Sequence, residues 1–134
     1  MTVDQINKLG ADCFPGYLGI KAVDIQENAV VGEMDVGANH LAPNRYLHAG
    51  CVITLADSMA GYSTLMNLPE GAISFTTIEL KSNFIRTVRE GTIQAKCIAE
   101  HLGKKTQVWK VVVTAKDSGK KMAIFSCTQM VLYP

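Results

Sequence analysis

The pattern of apolar and polar positions divides the chain into a helical front, one long apolar segment and a run of strands. Val3, Ile6, Leu9, Cys13 and Phe14 recur near helical spacing, which predicts a short amphipathic helix stopped by Pro15-Gly16. Ile20–Gln26 and Ala29–Val36 favour extended structure on either side of Glu27-Asn28, the pattern of a hairpin. Gly37–Leu47 carries Gly, Asn, His and Pro43 without periodicity and reads as a loop. Beyond Asn67–Gly71, strands are expected at Ala72–Ile85, Thr92–His101, Thr106–Ala115 and Lys121–Leu132. In the second of these, Ile93, Ala95, Cys97 and Ala99 alternate with Thr92, Gln94, Lys96 and Ile98, so one face of the sheet is covered. Arg89-Glu90-Gly91, Gly103-Lys104-Lys105 and Asp117-Ser118-Gly119 are turns short enough for antiparallel neighbours.

His48–Met66 has a different character. Its only ionisable groups beside the phenol of Tyr62 and the thiol of Cys51 are His48 and Asp57. At about 19 residues it approaches the length of a membrane span, but Asp57, His48, two glycines and several hydroxyls make it a buried helix of a water-soluble domain. A helix this apolar must be surrounded. The assembly expected is α+β, one long helix wrapped by an antiparallel sheet of about five or six strands. A length of 134 residues suits a single domain over 1–134, with no internal repeat or linker.

Composition narrows the partners. Thirteen Lys plus Arg against twelve Asp plus Glu leave no electrostatic footprint for nucleic acid. Charged residues are 19% of the chain, fewer than usual, as expected when part of the surface is covered by another copy. Cys13, Cys51, Cys97 and Cys127 lie far apart among apolar neighbours, with no metal-ligand spacing, and read as core side chains in a reducing compartment. The front segment has no basic leader or long apolar run, so the cytoplasm is the expected location.

Candidate chemistry lies on the apolar helix. Val52, Leu55, Met59, Tyr62 and Met66 form one stripe, while Thr54, Asp57, Gly61 and Thr64 follow the same spacing on another face. A carboxylate in such a setting is hydrogen-bonded, paired or kept for use. His48 precedes Asp57 by nine residues, close to half a turn out of phase and about 13 Å away along the axis, so one chain cannot bring both into one small site. If both serve one reaction, a two-fold dimer with adjacent antiparallel helices must supply His48 from one copy and Asp57 from the other. The helix start offers unpaired N–H groups at Ala49 and Gly50, both small enough for a carbonyl to approach and have its developing oxyanion stabilised. The plainer readings are a capping role for His48 and a turn role for Asn44.

The stretch Asn44-Arg-Tyr-Leu-His-Ala-Gly-Cys-Val-Ile-Thr-Leu-Ala-Asp57-Ser-Met-Ala-Gly-Tyr62 resembles the signature of hotdog-fold thioesterases of the phenylacetate-degradation (PaaI-like) and 4-hydroxybenzoyl-CoA thioesterase type. Lys81-Ser-Asn-Phe-Ile-Arg86 and His101-Leu-Gly-Lys-Lys-Thr-Gln-Val-Trp109 resemble further segments of these proteins. The resemblance implies a hotdog fold and hydrolysis of an acyl-CoA to free acid and CoA without metal or cofactor, coenzyme A being part of the substrate. It also implies a homodimer, usually paired into a homotetramer, with each site built from two subunits. On this basis Asp57 is the nucleophile or general base, and Thr77 holds it or the attacking water. Asn44, His48 and the Ala49 amide come from the other subunit, and Arg86, Gly103, Lys104 and Lys105 match segments that bind CoA. For these last four the plainer reading is solvated charge and turn at strand ends. Two departures stand out: Ala49 where many relatives have Gly, and Ala42 where many have Gln or Asn, for which Asn44 is a candidate replacement.

Met59, Tyr62 and Phe75 are the candidate lining of the acyl pocket, a lining suited to an aromatic or medium-chain group. A hotdog hydratase or dehydratase would need a different placement of His and carboxylate. An acyl-CoA sensor would keep the CoA-binding segments without needing Asp57.

Overall fold

Thr2 caps the first helix, α1 (Val3–Gly10): its hydroxyl accepts from Gln5 N–H while Gln5 Oε1 accepts from Thr2 N–H. The computed structural model, which describes all 134 residues, ends this helix at Gly10, short of the expected Phe14. Pro15 cannot donate to a continuing helix but fits a first turn, so a separate turn, α2 (Phe14–Tyr17), begins there. Cys13 falls between the two and is exposed, a correction to its expected place in the core; the other three cysteines are buried.

Glu27 and Asn28 both take positive φ, 53° and 59°, as a two-residue type I′ turn requires. They join β1 (Lys21–Gln26) to β2 (Ala29–Asp35) in the expected hairpin. The loop that follows contains one 3-10 turn, Ala38–His40, and a single bridge from Leu41 to Leu47. The long helix α3 (Ala49–Met66) then crosses the sheet and feeds β3 (Ser74–Phe84) at the opposite edge. β4 (Thr92–Leu102), β5 (Thr106–Ala115) and β6 (Lys121–Leu132) fill the space between. The six strands run β1-β2-β4-β5-β6-β3, every neighbouring pair antiparallel, and wrap one helix as the α+β reading expects.

Alternation of side chains decides which face of the sheet meets α3. Ile93, Ala95 and Cys97, Trp109, Val111 and Val113, and Ala123, Phe125 and Cys127 are all buried. Ala99, still paired with Trp109 but beyond Lys96, the last β4 residue paired with β2, is exposed. The buried side of α3 is Cys51, Val52, Leu55, Ala56, Met59, Ala60, Ser63 and Thr64. Thr64 is therefore in the core rather than on the open stripe, its hydroxyl donating to Ala60 C=O at 2.8 Å. Tyr62 and Met66 are only half-buried.

Polar contacts fix the helix in place. Ser63 Oγ accepts from Val30 N–H at 2.9 Å, tying α3 to β2. At the other side, Gln107 Nε2 donates to Asn67 C=O at 2.8 Å and Gln107 Oε1 accepts from Trp109 Nε1 at 3.0 Å, so a fully buried Trp–Gln pair holds the helix C-terminus. β2 approaches so closely that a Cβ at Gly32 would lie 2.1 Å from Met59 Sδ. β3 is left bare, with only Phe75 and Ser82 even half-buried and with Ile78, Leu80 and Phe84 exposed.

Gly32→Ala is expected to cost about 1–3 kcal/mol in denaturant unfolding, because Met59 has to leave a packed position. In a Met59→Ala background the added cost should fall well below that value. Equal costs in both backgrounds would show that the Gly32–Met59 contact is not the constraint.

Candidate active site

Asp57 sits midway along α3, half-buried, with Oδ1 shielded from solvent and without a hydrogen-bond partner. Burial pushes its carboxyl above the usual carboxylate range. It opens onto a cleft of about 300 Å³ between α3, the start of β3 and the N-terminal helices, lined also by Leu9, Pro15, Ser58, Tyr62, Leu65, Phe75 and Thr77. The Phe75 ring lies over the helix at Gly61, where a Cβ would meet Phe75 Cζ at an ordinary contact distance of 3.5 Å.

Of the predicted acyl-pocket residues, Tyr62 and Phe75 reach this cleft and Met59 does not. Met59 is fully buried against Gly32 on the opposite side of the helix, because position 59 is about 200° from position 57. Thr77 lines the cleft but does not hold Asp57. Its hydroxyl donates to Gln129 Oε1 at 2.7 Å, so Thr77 Oγ1 has only lone pairs left to offer. Gln129 escaped the sequence reading, although its signal is there: it is a polar residue at an inward β6 position between Cys127 and Val131, and it is fully buried. Cys127 is no rival to Asp57. Burial first, and the Asp57 charge second, push its thiol up to about 12, so it remains protonated.

The remaining predicted residues lie elsewhere on the chain. His48 caps α3, its Nδ1 accepting from Gly50 N–H at 2.7 Å. This bond engages the Gly50 amide, which corrects the expectation that it is available to a substrate carbonyl. The Ala49 N–H has no acceptor within the chain and stands exposed at the helix start. Ala49 lines a second cleft of about 460 Å³ with Asn44, Tyr46, Val52, Phe84 and Arg86 among others. Asn44 performs a turn role there, its Oδ1 accepting from Tyr46 N–H at 3.1 Å. Arg86 is exposed and donates from Nη1 to Lys121 C=O at 3.1 Å.

Gly103, Lys104 and Lys105 occupy the β4–β5 turn, near the other end of α3, where the Lys104 carbonyl accepts from the Tyr133 hydroxyl and the Lys105 carbonyl from Val131 N–H. One chain thus gathers Asp57, Tyr62, Phe75 and Thr77 in one cleft and Asn44, Ala49 and Arg86 in another.

The profile of the thioesterase superfamily matches residues 44–122, which include both clefts' helix and most of the sheet. The chain belongs to that superfamily. It is a thioester hydrolase with the hotdog fold that its sequence resembles. It is similar to the 1,4-dihydroxy-2-naphthoyl-CoA hydrolase of Escherichia coli, at 27% identity over 84% of this chain and 82% of that protein. A crystal structure of a glutamine-to-alanine variant of thioesterase PA1618 from Pseudomonas aeruginosa superposes with a TM-score of 0.93 at 26% identity, covering 98% of this chain and 94% of the other. The Escherichia coli PaaI protein of the phenylacetic acid degradation operon shares the fold, with a TM-score of 0.81 at 22% identity over 98% and 96% of the two chains. No helix of this thioesterase is long and apolar enough to cross a membrane.

The state of Asp57 gives a stability prediction with a definite sign. Its folded pKa is raised, so below the ordinary carboxylate range it is protonated in both states and costs nothing, while above the raised value the folded state bears an unpaired, partly desolvated charge. Asp57→Asn should therefore stabilise the fold at pH 7, within the about 0.5–2 kcal/mol usual for single stabilising changes. The gain should shrink as pH falls through the Asp57 range. Thermal unfolding of both proteins from pH 3 to 8 checks this, and a destabilised variant at pH 7 would contradict it.

Proposed function

We propose that the chain hydrolyses acyl-CoA thioesters in the cytoplasm, with Asp57 as nucleophile or general base and the α3 N-terminus of a partner copy polarising the thioester carbonyl. The observation that carries this reading is a pair of unused groups on one helix. Asp57 Oδ1 lacks a donor in one cleft and the Ala49 N–H lacks an acceptor in another, about 12 Å apart along the axis. Two copies related by a two-fold, with antiparallel α3 helices, would join one group of each kind in each of two sites.

The bare edge of β3 supports the same arrangement. A long strand edge that exposes Ile78, Leu80 and Phe84 invites pairing with another chain, and pairing with its own copy closes it. The half-covered side of α3, with Thr54, Asp57, Ser58, Gly61 and Leu65, would be covered in the same step. A homodimer is thus the smallest assembly with a complete site, and a pair of dimers is the proposed tetramer.

In the reaction, the thioester carbonyl oxygen accepts from Ala49 N–H as negative charge develops on it. Asp57 either removes a proton from a water that attacks the carbonyl carbon, or attacks it directly to give a mixed anhydride that water then opens. The C–S bond breaks and the CoA sulfur leaves, taking up a proton. Water and a carboxylate suffice, so no metal or cofactor is required. Arg86 at one end of α3 and Lys104 and Lys105 at the other give exposed positive charge for the CoA phosphates. The side chains of Leu9, Pro15, Tyr62 and Phe75 suit an aromatic or medium-chain acyl group, and the Escherichia coli relative's aromatic acyl-CoA is of that kind.

Thiol release from a panel of aromatic, short, medium and long acyl-CoAs tests the activity. Asp57→Asn should lower kcat by about 100-fold or more, and wild-type kcat/KM should fall toward acid with a midpoint above the ordinary carboxylate range. Ala49→Pro removes the amide hydrogen at a helix position that tolerates proline, and should cost about 100-fold or more in kcat. Refolding the two inactive variants together should restore about a quarter of wild-type activity, since half the dimers are mixed and one of their two sites is intact. A mixture as inactive as its components, with mixed dimers demonstrated, would refute a site shared between copies.

A further inference from the structure

Two clefts meet at one side chain. The Asp57 cleft, about 300 Å³, is bounded on its N-terminal side by Leu9 and Pro15. Beneath α1 and the α2–β1 connection lies another of about 410 Å³, walled by Asn7, Ile20 and Lys21. Tyr62 lines both and is the single residue the two linings share. We propose that Tyr62, braced against Gly10, is the partition that limits how long an acyl group can reach past Asp57 and keeps longer chains out of the open cleft behind it.

The bracing is visible in the packing at the end of α1. A Cβ added at Gly10 would lie 2.3 Å from Tyr62 Oη, far inside contact distance, so the phenol abuts the backbone of the N-terminal helix. The same Cβ would be 3.6 Å from Tyr62 Cζ and 3.4 Å from Pro15 Cβ, both within ordinary contact. The hydroxyl alone fills the gap. Tyr62 accordingly cannot swing toward α1, and it stays on the border that the two clefts share. The N-terminal helices become a specificity device: they hold the wall in place and supply Leu9 and Pro15 as its flanks. This inference rests on the acyl-CoA hydrolase reading and adds the residue that sets acyl length.

The test compares kcat/KM for octanoyl-CoA and palmitoyl-CoA in wild type, Tyr62→Ala, Tyr62→Leu and Tyr62→Phe. The palmitoyl-to-octanoyl ratio should rise about 10-fold or more in Tyr62→Ala, the scale expected when added methylenes gain a pocket. Tyr62→Leu, which keeps more buried apolar surface, should raise it less, and Tyr62→Phe, which keeps the ring and loses only the bracing oxygen, should raise it least. A ratio, rather than a rate, is insensitive to general loss of active protein. The bracing has its own readout in thermal unfolding: Gly10→Ala should lower Tm in wild type and have little effect in Tyr62→Phe, where the obstructing oxygen is gone. An unchanged ratio in both Tyr62→Ala and Tyr62→Leu, with wild type active on the series, overturns the partition alone. No wild-type turnover of any acyl-CoA overturns the hydrolase reading, and the proposed role of Tyr62 with it.

Discussion

The structure depends on burying an 18-residue helix that carries a single carboxylate. Apolar helix surface is stabilised by removal from water, and one face of one sheet is too little to cover a helix that is apolar nearly all round. The sheet therefore wraps it, and Gly32 brings the β2 backbone down onto Met59 where any side chain would hold the strand off. The Ser63 and Gln107 contacts then fix the helix along its axis, which determines where Asp57 and Ala49 stand. Packing constraints on one side of α3 set the chemistry on the other.

That chemistry is divided among groups whose hydrogen bonds are already committed and groups whose bonds are not. Gly50 N–H is taken by His48, Asn44 Oδ1 by Tyr46, and the Thr77 proton by Gln129. Asp57 Oδ1 and Ala49 N–H remain. A buried acceptor without a donor is costly, and its persistence beside an open cleft is what makes Asp57 a candidate for work rather than for structure. His48 contributes by holding the helix start, and hence the Ala49 amide, in a fixed direction.

The N-terminal helices add a third layer. They are not needed to complete the sheet, yet Gly10 meets Tyr62 and Leu9 and Pro15 border the Asp57 cleft. Their place beside the site follows from the break between Gly10 and Phe14, which lets α2 pack on α3 instead of letting α1 run on as one rod.

Much of this was legible in the order of residues. Period-two alternation in β4, β5 and β6, the Glu27-Asn28 turn and the uniform apolarity of His48–Met66 determined the elements and their α+β class, because such patterns depend only on local geometry and the need to bury apolar surface. The same local geometry put Asp57 and His48 out of phase on one helix and pointed to a site that one chain cannot complete. Tertiary structure alone decided the rest, since each answer turns on a partner distant in sequence. Thr77 meets Gln129 fifty-two residues away, Met59 faces β2 and not the cleft, and Cys13 is left outside by a helix that ends early. Tyr62 lies on the apolar stripe by spacing, but only the fold sets it against Gly10 and between two clefts, because spacing gives the direction of a side chain and not what it will meet.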